Sequence, residues 1–322
     1  MLENRKNWKS MVITLLLFSL LGISFLTAIS SGLAQNTIYE VKLTKGTTTF
    51  TVETYDEDAW ITTVSNSLNP SHWFGGDANI TGAQSKITIK GWSYSDFGTY
   101  NILKSFFPII IKLNDSGYNE ITVNEAYPNT YWIWNRLQAE WQYTVENFDE
   151  KPNFTNFPFF PIVILEDPED YKKILDDYNM LATQIRNDVN ITDPLIIAMF
   201  SKNITGDDFL WELARNRFAA AGPVGNYLLA VTDALETENV TVSSCSLIFN
   251  QIGLNNYTVE FVYGDQGTLT SVIVKDQADN TIYYITSTNS EWIFYMILAI
   301  AVAASIGIIV VLSLRSRKIK RS

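Results

Sequence analysis

Residues 292–314 (WIFYMILAIAVAASIGIIVVLSL) form a run of 23 positions with neither charge nor proline. About 20 apolar residues in a helix cross the roughly 30 Å hydrocarbon core of a bilayer, so the run is long enough to span one. Five basic residues, Arg315, Arg317, Lys318, Lys320 and Arg321, follow it with no acid among them. Lys and Arg beside a span are retained on the cytoplasmic side. The expectation is a transmembrane helix over 292–314, with Trp292, Phe294 and Tyr295 as interfacial anchors, a cytoplasmic tail at 315–322 and all preceding residues outside.

The other end of the chain points the same way. Arg5, Lys6 and Lys9 precede an apolar run at 11–26, and Ser30, Ser31, Gly32 and Ala34 follow it. Basic, apolar and small-residue regions in that order form a secretory signal, here with cleavage after Ala34. The alternative is an uncleaved anchor at 11–29 and two membrane passes. Either arrangement exports the middle of the chain. No cysteine follows the apolar run, which excludes a lipidated N-terminus of the lipobox kind.

The exported part is acidic. Between 35 and 291 there are 15 Lys and Arg against 33 Asp and Glu, a net charge of −18, whereas the whole chain carries −11. Nucleic-acid binding, which needs clustered basic residues, is excluded. Cys245 is the only cysteine, so no internal disulfide can form and stability must come from a packed core. No His or Lys neighbours it, and it reads as an inert, buried thiol. Seven Asn-x-Ser/Thr sequons, at Asn79, Asn114, Asn153, Asn190, Asn203, Asn239 and Asn256, all fall in the exported region and are candidate glycosylation sites.

Hydrophobic periodicity divides that region into three. At 38–54 an alternating pattern around Lys45-Gly46 predicts a hairpin, and 85–92 predicts a further strand. At the C-terminal side, 257–263, 269–275 and 281–286 predict a three-stranded meander, with Tyr257, Val259, Phe261 and Tyr263 on its buried face. In between, Trp134, Leu137, Trp141, Val145 and Phe148 fall at helical spacing, which assigns these tryptophans to the core. Pro168-Glu169-Asp170 opens a helix whose stripe is Tyr171, Ile174, Tyr178, Leu181 and Ile185. Another runs from Asp207-Asp208 to Phe218 and stops at Gly222-Pro223. The segment 227–235 fits helix or strand. The expected fold is α+β: one antiparallel sheet built from N- and C-terminal strands, with helices inserted between. The domain plan is signal 1–34, ectodomain 35–287, juxtamembrane leash 288–291, span 292–314 and tail 315–322.

Catalytic constellations are scarce. His72 is the only histidine, no Gly-x-Ser-x-Gly elbow is present, and neither a Walker loop nor a Rossmann fingerprint occurs. One His and one Cys are too few for the usual zinc sites. The acidic groups Asp56-Glu57-Asp58, Glu166-Asp167 with Glu169-Asp170, Asp176-Asp177 and Asp207-Asp208 match no calcium loop, and those at helix starts complement the dipole. No metal or cofactor is expected. Asn124-Glu125 resembles the acid/base pair of some retaining glycosidases, but the alternation a (β/α)₈ barrel needs is missing.

The plan of signal, sequon-rich β-dominated ectodomain, single C-terminal anchor and basic stop resembles that of archaeal cell-surface proteins of the choice-of-anchor type. The turn at Tyr263-Gly264-Asp265-Gln266-Gly267 is similar to C-terminal repeats in such ectodomains. That resemblance implies display at the cell surface and carries no catalytic residue. The leading expectation is a single-pass surface protein that binds or coats, with a glycan or another surface protein as partner. A membrane-anchored glycan hydrolase and an apolar-ligand carrier are the alternatives.

Overall fold

The computed structural model describes residues 38–42, 46–141, 152, 154, 162–215 and 218–289. In chain order these form β1 (Gly46–Tyr55), α1 (Glu57–Thr63), α2 (Pro70–Phe74), β2 (Gln84–Gly98), α3 (Thr99–Phe106), a 3₁₀ helix (Pro108–Ser116), α4 (Glu120–Ala126), β3 (Thr130–Trp141), β4 (Val163–Leu165), α5 (Asp170–Asn187), α6 (Pro194–Met199), α7 (Gly206–Arg215), α8 (Val224–Ala234), β5 (Val240–Ser243), β6 (Ser246–Ile252), β7 (Asn256–Tyr263), β8 (Leu269–Asp276) and β9 (Thr281–Asn289).

All nine strands join one antiparallel sheet in the order β4-β3-β2-β1-β9-β8-β7-β6-β5. The first and last strands lie side by side, from Thr48 opposite Asn289 to Tyr55 opposite Tyr283. The α+β expectation, with terminal strands sharing a sheet and helices inserted, is what the chain adopts. β7 alternates strictly: Tyr257, Val259, Phe261 and Tyr263 are buried and Thr258, Glu260 and Val262 are half-buried. The inward residues merge with those of the helices into one hydrophobic core.

α5 buries the predicted stripe of Tyr171, Ile174, Tyr178, Leu181 and Ile185. The segment at 227–235 is helical within α8, and its Tyr227 hydroxyl donates to the Leu165 carbonyl at 2.7 Å. α1 and α2 dock on β9 through Trp60, Trp73, Phe74 and Tyr283. Trp60 and Trp73 meet edge-on at 4.9 Å, and the Tyr283 hydroxyl donates to the Ala78 carbonyl at 2.7 Å.

Four local expectations are corrected. The 134–148 helix is replaced, as far as Trp141, by strand β3, and 142–148 lie outside the described residues. The run Tyr131-Trp132-Ile133-Trp134 is β-prone, and ladders to β2 and β4 on either side satisfy its backbone. The 38–54 hairpin does not form. Both edges of β1 are occupied by β2 and β9, and Glu40 instead exchanges backbone hydrogen bonds with Gly222 at 3.0 and 2.7 Å. α7 ends at Arg215; Phe218 is buried beyond it, and Pro223 caps the start of α8. Thr288 and Asn289, expected in the leash, complete β9.

No helix among the described residues is long and apolar enough to cross a membrane. The expected signal at 1–34, span at 292–314 and tail at 315–322 lie outside the described residues, as do leash residues 290 and 291.

Candidate functional site

Two adjoining depressions occur at the end of the sheet opposite Asn289. The first, about 470 Å³, lies between the start of α7 and β6; the second, about 430 Å³, continues to β7 and the β8–β9 turn. Asn239, Asn250 and Gln251 line both, so the two form one polar groove.

Local chemistry fixes its walls. Thr205 and Asp208 cap α7 reciprocally: the Asp208 N–H donates to Thr205 Oγ1 at 3.1 Å and the Thr205 N–H to Asp208 Oδ2 at 3.2 Å. Between them, Gly206 passes so close to the Leu235 carbonyl that a Cβ would collide with it. The Asp207 carboxylate accepts from the Glu238 N–H at 3.0 Å, the Asn239 N–H at 3.2 Å and Asn239 Nδ2 at 2.9 Å, which pins the 236–239 turn to the helix. At the far wall, Asp276 accepts from the Asn280 N–H at 2.8 Å, the Ala278 N–H at 2.9 Å and Asn280 Nδ2 at 2.9 Å, closing the β8–β9 turn.

Half-buried Trp211 belongs to the floor of the first depression, edge-on to Phe249 at 5.3 Å and to Trp73 at 5.3 Å. Tyr257 plays the corresponding part in the second and stacks on Trp73 at 6.4 Å.

The donors from Asn280, then Ala278, hold the Asp276 carboxyl below its ordinary range, so it stays ionised. A general acid needs the opposite displacement. Asp207 spends its oxygens on the neighbouring turn. Toward solvent the groove presents the exposed carboxylates of Glu236 and Glu238 together with amides from Asn239, Asn250, Gln251 and Asn256, the Thr258 hydroxyl and an aromatic floor. These donors and acceptors suit a ligand rich in hydroxyl or amide groups.

The residues singled out by sequence scatter. Asn239 and Asn256 line the groove, both exposed. Asn114, Asn190 and Asn203 are exposed elsewhere, Asn79 is half-buried, and Asn153 lies outside the described residues. His72 caps α2: its Nδ1 accepts the Asn69 N–H at 3.1 Å, an ordinary structural role. Asn124 turns inward, where its Oδ1 accepts the Tyr100 N–H at 2.9 Å, and Glu125 is exposed on the short α4. Cys245 sits half-buried in the β5–β6 turn, packed against the core.

Of the acidic groups, Asp56 caps α1 and Asp170 pairs with Lys173 at 2.6 Å. Asp177 is buried, accepting from the Tyr131 hydroxyl at 2.7 Å, Asn129 Nδ2 at 3.0 Å and Thr99 Oγ1 at 3.3 Å. Among the described residues no three His, Cys, Asp or Glu side chains gather as metal ligands. Asn250 and Gln251 carried no signal in the sequence, since only strand register brings them beside Asn239.

Trp134, expected in the core, is half-buried and packs against it, whereas Trp132, about which the helical spacing said nothing, is 48% exposed; both alternate with the buried Tyr131 and Ile133 along β3. A separate apolar cavity lined by Phe50, Phe74, Ile87, Phe218, Val272 and Ile285 measures about 50 Å³. That is well below the roughly 150 Å³ that takes up benzene, and it lends the carrier alternative no support.

Compared with known proteins, the chain matches no family model, no curated protein and no solved structure.

Proposed function

We propose that the chain is a type I surface protein, exported by the signal at 1–34 and held by the span at 292–314, whose acidic ectodomain binds a hydroxyl-rich partner, a glycan, in the groove around Asn239, Asn250 and Gln251. The observation that carries this reading is the opposition of groove and exit. β9 ends at Asn289, level with Thr48, whereas the groove lies past the other ends of β7 and β8. A tether following Asn289 would leave the groove facing away from the membrane. The amides, the exposed carboxylates of Glu236 and Glu238 and the aromatic floor supply binding groups, while Asp207 and Asp276 hold the adjoining turns.

Two measurements test it. Protease added to intact cells should cleave the ectodomain and spare the tail; an ectodomain resistant until lysis would sink the topology. Titration of soluble oligosaccharides against the purified protein should give binding that Asn250→Ala with Gln251→Ala weakens at least tenfold. Equal binding by that variant would remove the groove from the reading.

A further inference from the structure

The register of the sheet carries a second consequence, which rests on the anchor proposed above. Ile87 of β2, Thr48 of β1 and Asn289 of β9 lie at one level. β2 runs in the same direction as β9, since each is antiparallel to β1, and it continues to Gly98. At about 3.3 Å per residue, Tyr94 stands roughly 23 Å further along β2 than Ile87. Two strand-to-strand twists of about 20–25° reduce this advance to some 16 Å along the β9 direction. The leash from Asn289 to Trp292 reaches only about 10 Å. This wing of the sheet therefore extends beyond the leash toward the bilayer.

Its outward face is aromatic. Tyr94 is 49% exposed and Trp132 48%; the two rings stack at 5.3 Å, and Tyr94 leans on Trp134 at 5.6 Å. Trp92 is half-buried one outward position back along β2. Tyr94 meets both tryptophans, Trp132 stacked on it and Trp134 tilted against it, so the rings form one continuous aromatic patch. Tyr and Trp in this presentation are the residues enriched at the headgroup level of membranes. Two carboxylates accompany them: exposed Asp96, opposite Trp132 in the ladder, and Glu166, which accepts the Tyr94 hydroxyl at 2.5 Å. Carboxylates beside aromatic rings suit the cationic end of a zwitterionic headgroup and repel an anionic one.

We infer that the Trp92–Tyr94–Trp132–Trp134 cluster docks on a zwitterionic lipid surface beside the anchor and fixes the tilt of the ectodomain. The test uses the full chain in phosphatidylcholine vesicles, with Cys245→Ser and a nitroxide on Thr130→Cys, an exposed position one outward step beyond Trp132 on β3, which keeps the aromatics and both carboxylates. A second nitroxide sample on Ile252→Cys, 85% exposed at the groove end, is the reference. Collision with oxygen relative to a nickel chelate should be at least threefold higher at position 130 than at 252. Adding Tyr94→Ala and Trp132→Ala should return it to the reference value.

A label at 130 as open to the nickel chelate as that at 252, in protein that survives an alkaline wash, overturns the docking and leaves the anchor standing. Protein released by the wash overturns the anchor, and the docking with it. Shielding of position 130 by soluble oligosaccharide and not by vesicles also overturns it, and makes the cluster a glycan site.

Discussion

The β7–β9 meander and the β2–β4 wing belong to one sheet but are held in different ways. In the meander, alternation suffices: Val259, Phe261, Val272 and Val274 are at most 1% exposed, and Phe261 meets Trp211 of α7 edge-on at 5.8 Å. In the wing, a buried carboxylate, Asp177, ties β3 to α3 and α5 through Tyr131, Asn129 and Thr99. Apolar packing tolerates small adjustments, whereas a buried ion held only by neutral donors has to keep every one of them.

Several perturbations sharpen that contrast, beginning with the largest. Burial holds the phenols of Tyr131 in the wing, of Tyr171 and Tyr227 on α5 and α8, and of Tyr257, Tyr263 and Tyr283 in the meander, above their ordinary value, Tyr257 to about 12. Folding therefore favours the neutral phenol. This contribution is complete below about pH 10, where the unfolded chain ionises, and is lost as pH rises through the folded values. Unfolding free energy should fall steeply above pH 10, in step with tyrosinate absorbance; a flat profile to pH 12 would contradict the burial of both regions.

Phe261→Ala should cost about 3–5 kcal/mol in urea unfolding, the usual result of emptying a packed aromatic site. Asp177→Ala should cost about 2–4 kcal/mol by orphaning several buried donors, with the wing losing hydrogen-exchange protection first. Uniform loss across the sheet would break the distinction drawn here. Tyr131→Phe removes one donor from a charged acceptor and should cost about 1.5–3 kcal/mol. Tyr263→Phe is the smallest effect. Its buried hydroxyl has no hydrogen-bond partner among the described residues, so a change within about 0.5 kcal/mol, or a slight gain, is expected.

The same contrast governs what could be read from sequence. The meander was legible because each strand alternates on one face, with Gly264–Gly267 and Asp276–Asn280 as turns. α5 was legible because its stripe holds one period for 18 residues. β3 was not. Trp134, Leu137 and Trp141 satisfy a helical spacing, and the four consecutive large residues Tyr131–Trp134 hide the strand period because aromatic rings stand on both faces. That the terminal strands share a sheet was expected, but their register was not legible, since β1 meets β2 and β9 at Thr47–Thr88 and Thr49–Thr288, 41 and 239 positions apart, where local pattern is silent. The groove was not legible as a site: Asn239 and Asn256 stand out only as sequons, and Asn250 and Gln251 acquire their place only through the β6–β7 ladder.

The neighbouring position of β1 and β9 also has a mechanical meaning. β9 is hydrogen-bonded along both sides, to β1 and to β8, and its C-terminal end is where the chain leaves the described fold. A pull on that end, resisted by a ligand gripped at the groove, runs parallel to the strand and loads both ladders in shear. Their bonds would have to yield together instead of opening one at a time, so the sheet would bear tension at its strongest seam.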